Sequence, residues 1–276
     1  MKKSNFICTF ADKISDMIQP QLHFYHFGEG VKAFSSTRYG GYSKGSYGEF
    51  NINRYCGDSE EAIRKNRDLL CQLLQIDDDH LLMPHQVHQT EVVTIDETFL
   101  RLPAVERKER LEGVDALMTD MPGICIGVST ADCIPVLLFD KAHRASCAVH
   151  AGWRGTLKRI VEKAVAEMTS VYGSRPADII AQIGPGIHLE SFEVGDEVYE
   201  AFVNEGFEME TISRRFGPKW HIDLPVCNRQ QLFDSGIPSH QISVSPICTY
   251  QHSDTYFSAR RLGINSGRIF TGILIG

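Results

Sequence analysis

The chain has 276 residues, 42% of them hydrophobic and 23% charged, enough apolar material for a sizeable core. Its net charge of −7 argues against a nucleic-acid binder, because that affinity rests on Lys and Arg neutralising phosphates. No run of about 18 apolar residues occurs, so no membrane-spanning helix is expected, and the N-terminal MKKSNFICTFADKISD lacks the apolar stretch of a signal peptide. A cytoplasmic chain is the simplest reading.

In chain order, VKAFSS at 31–36 reads as a strand, and RYGGYSKGSYGEF at 38–50, with its many glycines, as a loop on the surface or facing a substrate. A helix follows over about 58–75, with Asp58 and Glu61 as a capping pair and Ile63, Leu69, Leu70, Leu73 and Leu74 at helical spacing. Strands are then expected at 91–95, 114–119, 124–130, 134–139 and 145–150, several of them continuously apolar and so suited to burial on both faces. A helix over about 156–172, closed by Gly173, precedes a strand at 178–183. Helices near 195–204 and 223–235, the latter capped by Asp223, and strands at 241–247 and 269–275 complete the chain. Without repeats or linker-like runs this is one α+β domain spanning 1–276, helices covering a mixed sheet.

The eight cysteines (8, 56, 71, 125, 133, 147, 227 and 248) are scattered, which favours free thiols over a disulfide framework. One of them has special neighbours. The strands 134–139 and 145–150 form a hairpin, and a turn centred between Lys141 and Ala142 sets Cys133 opposite His150, with Cβ atoms about 5 Å apart on one face. Such a pair suits either a shared metal ion or a thiolate activated by a histidine. MPHQVHQT at 83–90 adds His85 and His88, which an extended backbone turns to opposite faces. His88, nearer the following strand, is the better third partner. Three protein ligands with a fourth position open make a catalytic type of zinc site, in which the metal brings the pKa of water to about 7. No His-x-His pair occurs among the eleven histidines, which leaves copper the weaker assignment.

Past His150, the sequence AGWRG (151–155) leads into the helix at 156–172. The helix start and Arg154 together offer a seat for an anion, and Trp153 a flat wall for a base.

QVHQT (86–90), STADCIPV (129–136), VHAGWRG (149–155), IGPGIHLESFEVG (183–195), FSSTRYGGYSKGSYGEFNI (34–52) and the tail CTY…FSARR…GR (248–268) resemble the YfiH family. Its members are also called laccase-domain or polyphenol oxidase proteins, purine nucleoside phosphorylases and peptidoglycan-editing factors. The resemblance covers nearly the whole chain. It implies a three-layer α/β/α fold with a mixed sheet, of the cysteine-hydrolase-like kind, and one zinc on His88, Cys133 and His150. It also implies purine nucleosides as substrates: phosphorolysis of adenosine, inosine, guanosine and methylthioadenosine, and deamination of adenosine. Ser191, where many relatives carry Cys, departs from the pattern without touching the zinc set.

Phosphate needs cationic donors, for which Arg38, Arg154, Arg260 and Arg261 are the candidates. Asp132 and Glu193 are candidates for proton transfer. Three other readings stay open: a Cys133–His150 hydrolase acting on peptidoglycan precursors, a copper polyphenol oxidase, and a zinc-stabilised protein without catalysis. Oligomeric state is not legible.

Overall fold

The computed structural model describes residues 18–276; Cys8 and the N-terminal stretch read above lie outside the described residues. Strands Ile134–Asp140 and Ala145–Ala151 form the expected hairpin in a six-stranded mixed sheet. Its spatial order is Ile242–Val244, Ile179–Ile183, Ile134–Asp140, Ala145–Ala151, Ala116–Thr119, Val92–Thr94. A five-stranded mixed sheet runs Leu22–Tyr25, Val31–Ser36, Ile269–Ile275, Cys125–Thr130, Leu81–Leu82.

Side-chain alternation explains how these sheets stack. In the six-stranded sheet Val136, Leu138, Cys147 and Val149 face a core shared with the helix Ile160–Tyr172, while Leu137, Phe139 and Ala148 face the other way. There they meet Ala33, Ile126, Val128 and Ile273 of the five-stranded sheet. The outer face of that second sheet is covered by the helix Glu60–Leu74, through Leu70, Cys71 and Leu74. The α+β class and the outer helical layers are thus as expected, and the β layer between them is two stacked sheets. Their central strands are buried on both faces, which is why those strands read as continuous apolar runs.

Two helices differ in detail from the sequence reading. The first is capped by Ser59, whose side chain accepts from the Ala62 N–H, while Asp58 accepts from Ser43 Oγ and the Asn51 amide. The expected helix over 156–172 is two pieces, Trp153–Leu157 and Ile160–Tyr172, broken at Arg159, whose φ is 60°. The longer piece buries Ile160, Val161, Ala164, Val165 and Met168 and ends at Gly173 with φ 71°, a left-handed cap that favours glycine. Short helices at Glu97–Arg101 and Ala104–Arg110 and a three-stranded sheet around Lys219–Ile222 were not anticipated.

Among the described residues no helix is long and apolar enough to cross a membrane.

Candidate metal centre

Three backbone devices bring His88, Cys133 and His150 together. His150 sits one residue before the end of its strand and faces the gap between the sheets, as Ala148 does. It pairs with Pro135, not with Cys133. The hairpin turn occupies 141–144, with Asp140 Oδ1 accepting from the Ala142 N–H at 2.8 Å and Arg144 at φ 51°, so the register slips two residues from the expected pairing. An even slip keeps Cys133 and His150 on one face.

Cys133 follows Asp132, which adopts a left-handed φ of 88°. Such a backbone costs on the order of 1–3 kcal/mol in a non-glycine residue and persists only where its surroundings enforce it. Here they do: one Asp132 carboxylate oxygen accepts from Thr249 Oγ1 at 2.8 Å and the other from the Arg260 N–H at 2.7 Å.

His88 also has a left-handed backbone, φ 62°, in a loop that is not extended. Its shape is imposed by Asp115, whose carboxylate accepts from the N–H groups of Val87 (3.4 Å), His88 (3.0 Å) and Gln89 (2.7 Å). Gln86 pins the same loop to the other sheet, accepting from the Ser129 N–H and donating to its carbonyl, both at 2.8 Å.

The result is a cluster whose potential ligand atoms all lie within 4.8 Å of one another. His88 Nε2 is 3.7 Å from Cys133 Sγ, and the His88 and His150 rings meet edge to face with centroids 4.7 Å apart. His150 Nδ1 is 2.7 Å from Asp115 Oδ1, which leaves Nε2 as its ligand atom. Asp115 therefore shapes the His88 loop and orients the His150 ring at once. It was missed in the sequence, although an acid two residues into the apolar run GVDALMT was a signal that something inside needed it.

The electrostatics follow. Burial raises the Cys133 thiol, but His150 and His88 prevail and bring its pKa from 9.0 down to about 6. Burial alone pushes Cys147 upward, and burial dominates likewise at Cys125 and Cys227. Burial would lower His150, yet Cys133 and Asp115 raise it to about 9. Burial also raises Asp115, and its bonds to His150, Gln89 and His88 more than offset this, holding it below 3.8.

Gly152 explains the first glycine of HAGWRG. A Cβ there would lie 2.8 Å from His88 Cδ2 and 3.1 Å from Cys133 Sγ, so the cluster is cradled against a bare backbone. A thiolate and two imidazoles fit zinc, and the cluster lines a cavity of about 320 Å³ with Tyr55, His85 and Arg268. His85 does not face away, as an extended backbone required; it lines this cavity beside His88 but is not one of the clustered donors.

The other expected site residues lie elsewhere. Arg38 donates to the carbonyls of Gly48 and Ser253 and lines a separate depression with Lys44 and Asp254, where the glycine-rich loop also sits. Arg154 is exposed and lies 4.2 Å over the Trp153 ring, and Trp153 itself packs against the helix-side core, not in the cavity. Arg260 donates to the Glu193 carbonyl, and Arg261 to Tyr250 Oη. Asp132 is occupied as described, and the Glu193 carboxylate pairs with Lys219 at 3.8 Å. The helix after Gly152 has only five residues, too few for the anion seat read from the sequence.

Stacked mixed sheets between helices carry a His–Cys–His cluster at one end of the gap, and among the described residues the other group of potential metal donors, Asp77, Asp79 and His80, contains no thiol. Residues 32–276 match the family described as multi-copper polyphenol oxidoreductase laccase, and the chain belongs to that family. A Bacteroides thetaiotaomicron protein named purine nucleoside phosphorylase is 48% identical over 247 residues, 89% of this chain and 92% of its own. A protein named adenosine deaminase RL5, from an unknown prokaryotic organism, is 44% identical over 92% of this chain and 97% of its own. Among solved structures, the Bacillus licheniformis hypothetical protein YfiH superposes with a TM-score of 0.86 at 28% identity, over 93% of this chain and 97% of that one.

Proposed function

We propose that the chain is a zinc-dependent purine nucleoside enzyme of the cytoplasm, one unit over 1–276, catalysing phosphorolysis of adenosine, inosine, guanosine and methylthioadenosine and deamination of adenosine. The observation that carries this reading is the three-donor cluster in an open cavity, with Asp115 orienting His150. The names of the two relatives, one a phosphorylase and one a deaminase, support both reactions at one site.

His88, Cys133 and His150 would hold the metal. Bound there, zinc supplies a Lewis acid that lowers the pKa of water toward neutrality. Asp115 fixes the His150 tautomer and keeps the His88 loop in place, so neither imidazole has to reorganise. For the anionic co-substrate we add Arg268 to the candidates Arg38, Arg154, Arg260 and Arg261, which do not line the cavity. Arg268 is the one arginine or lysine lining it among the described residues, and its guanidinium is held in place by the carbonyls of Ile264, Ser266 and Gly267. Among the described residues this is also the one cluster rich in His and Cys, which supports zinc over a multi-copper arrangement.

The test is turnover by zinc-loaded protein with and without phosphate. Inosine formed from adenosine in both arms reports deamination, and free base released only with phosphate reports phosphorolysis. Neither product from any of the four nucleosides overturns the proposal. A second reading, a Cys133 hydrolase, is favoured by the lowered thiol beside an Asp115-oriented histidine. Rapid alkylation of Cys133 in protein carrying stoichiometric zinc would support it, and protection by zinc would count against it.

A further inference from the structure

The cavity carries a second set of groups with no role so far. Tyr55 and His85 both line it and stack with ring centroids 4.1 Å apart and planes 20° from parallel. Each is braced from behind. His85 Nδ1 is bonded to Glu112, and its backbone N–H and carbonyl are taken by Leu111 and Gly113. The Tyr55 N–H goes to Asn53 Oδ1 at 2.6 Å, the Asn53 amide to Ser129 Oγ, and Ser129 to Gln86, the neighbour of His85. One hydrogen-bond chain thus ties the loop bearing Tyr55 to the loop bearing His85.

Despite this bracing Tyr55 is 40% exposed, and Ile264, which lines the same cavity, is 72% exposed. A single exposed apolar side chain is ordinary. A rigid aromatic pair and a bare isoleucine on one cavity that also holds the metal donors form a surface a flat apolar ligand face would cover. We propose that Tyr55, stacked on His85, with Ile264 is the platform on which the substrate's base packs, and that it selects purine over pyrimidine nucleosides through the larger face of the bicyclic ring. This rests on the nucleoside reading above. Tyr55 and His85 act here as positioning residues, presenting the base to the metal donors without taking part in bond making.

The test compares zinc-loaded wild type, Tyr55→Phe and Tyr55→Leu in steady-state kinetics with adenosine and cytidine, alongside zinc content and thermal midpoint. Tyr55→Leu is expected to raise KM for adenosine about 10- to 100-fold, keep kcat within about threefold and keep its zinc, while Tyr55→Phe behaves as wild type. The preference for adenosine over cytidine should shrink in step. An unchanged KM in Tyr55→Leu overturns the platform, as does a fall in zinc content or kcat with KM intact, which marks a structural role. Equilibrium dialysis of labelled adenosine separates the two ideas: wild type that binds adenosine through Tyr55 yet turns it over in no assay keeps the platform and sinks the enzyme. Wild type that neither binds nor converts any purine nucleoside sinks both.

Discussion

The two ends of one hairpin carry the same pair of groups. At the turn, His143 Nδ1 lies 2.7 Å from Asp140 Oδ2, and at the open end His150 Nδ1 lies 2.7 Å from Asp115 Oδ1. Both aspartates are fully buried, yet His143 is 44% exposed and His150 only 3%. Asp140 spends its remaining capacity on the N–H groups of its own turn, while Asp115 reaches across to the His88 loop. A short histidine–carboxylate bond is therefore a turn device in one place and the support of a metal centre in the other. What separates them is convergence: only at His150 do a second imidazole and a thiol arrive at the other ring nitrogen.

Substitutions should break this symmetry most sharply at the donors. Cys133→Ala or His150→Ala is expected to abolish stoichiometric zinc and lower kcat/KM at least about a thousandfold, whereas His143→Ala should leave both unchanged. Metal analysis with nucleoside kinetics reads the contrast.

Asp115→Ala comes next, because it strips buried N–H groups and His150 of their acceptor; a loss of about 3 kcal/mol in denaturant unfolding is expected. The milder Asp115→Asn should weaken zinc about 10- to 100-fold in chelator competition. Gly152→Ala, at φ −68°, meets no backbone obstacle, so its effect comes from the new methyl against His88 and Cys133: about 1–3 kcal/mol of overpacking, seen as weaker zinc binding with the fold retained.

Acidity sharpens the comparison in a different way. Both aspartates are held below 3.8 in the folded chain, so the stability each contributes is fully present above that pH and fades as the pH falls further, through the lowered folded values. Asp140→Asn should flatten this acid limb without touching the metal, and Asp115→Asn should flatten it and loosen the metal too; thermal melts between pH 2 and 6 would be compared with zinc titrations at about pH 7. In metal-free protein the Cys133 thiolate fraction rises through about pH 6, so its alkylation should reach half its maximal rate there, well below Cys56, Cys71, Cys125, Cys147 and Cys227, whose thiols burial raises. The smallest effect is expected for Arg154→Gln, whose exposed side chain lies over Trp153: a change in stability of at most about 0.5 kcal/mol and unchanged zinc content.

Much of this arrangement was legible because it rests on alternation. The hairpin, the apolar strands and the shared face of Cys133 and His150 follow from a period of two, which survives the two-residue error in register. His88 was reached from its nearness to a strand, although the left-handed backbone that aims it was not visible. Where expectations failed, contacts far apart in sequence had decided. The break at Arg159 split the helix, Trp153 turned to the core, and Asp115 took three N–H groups from a loop more than twenty residues earlier. The arginines read as phosphate candidates lie outside the cavity, donating to carbonyls or a tyrosine hydroxyl or lying over an aromatic ring. A cation in a sequence carries no mark of which acceptor it will find.

The Asp132 staple has a consequence for how the centre comes into being. Its partners, Thr249 and the Arg260 N–H, and the cavity lining at Ala259, Ile264 and Arg268 all leave the ribosome more than a hundred residues after Cys133 does. The strand Ile269–Ile275, which must slot between Val31–Ser36 and Cys125–Thr130, follows later still. A nascent chain halted at residue 240 would carry His88, Cys133 and His150 but neither the clamp on the Asp132 turn nor the middle of the second sheet. The shape of the centre thus depends on segments translated long after its three donors, since the clamp on Asp132 and the middle strand of the second sheet both come from beyond residue 240.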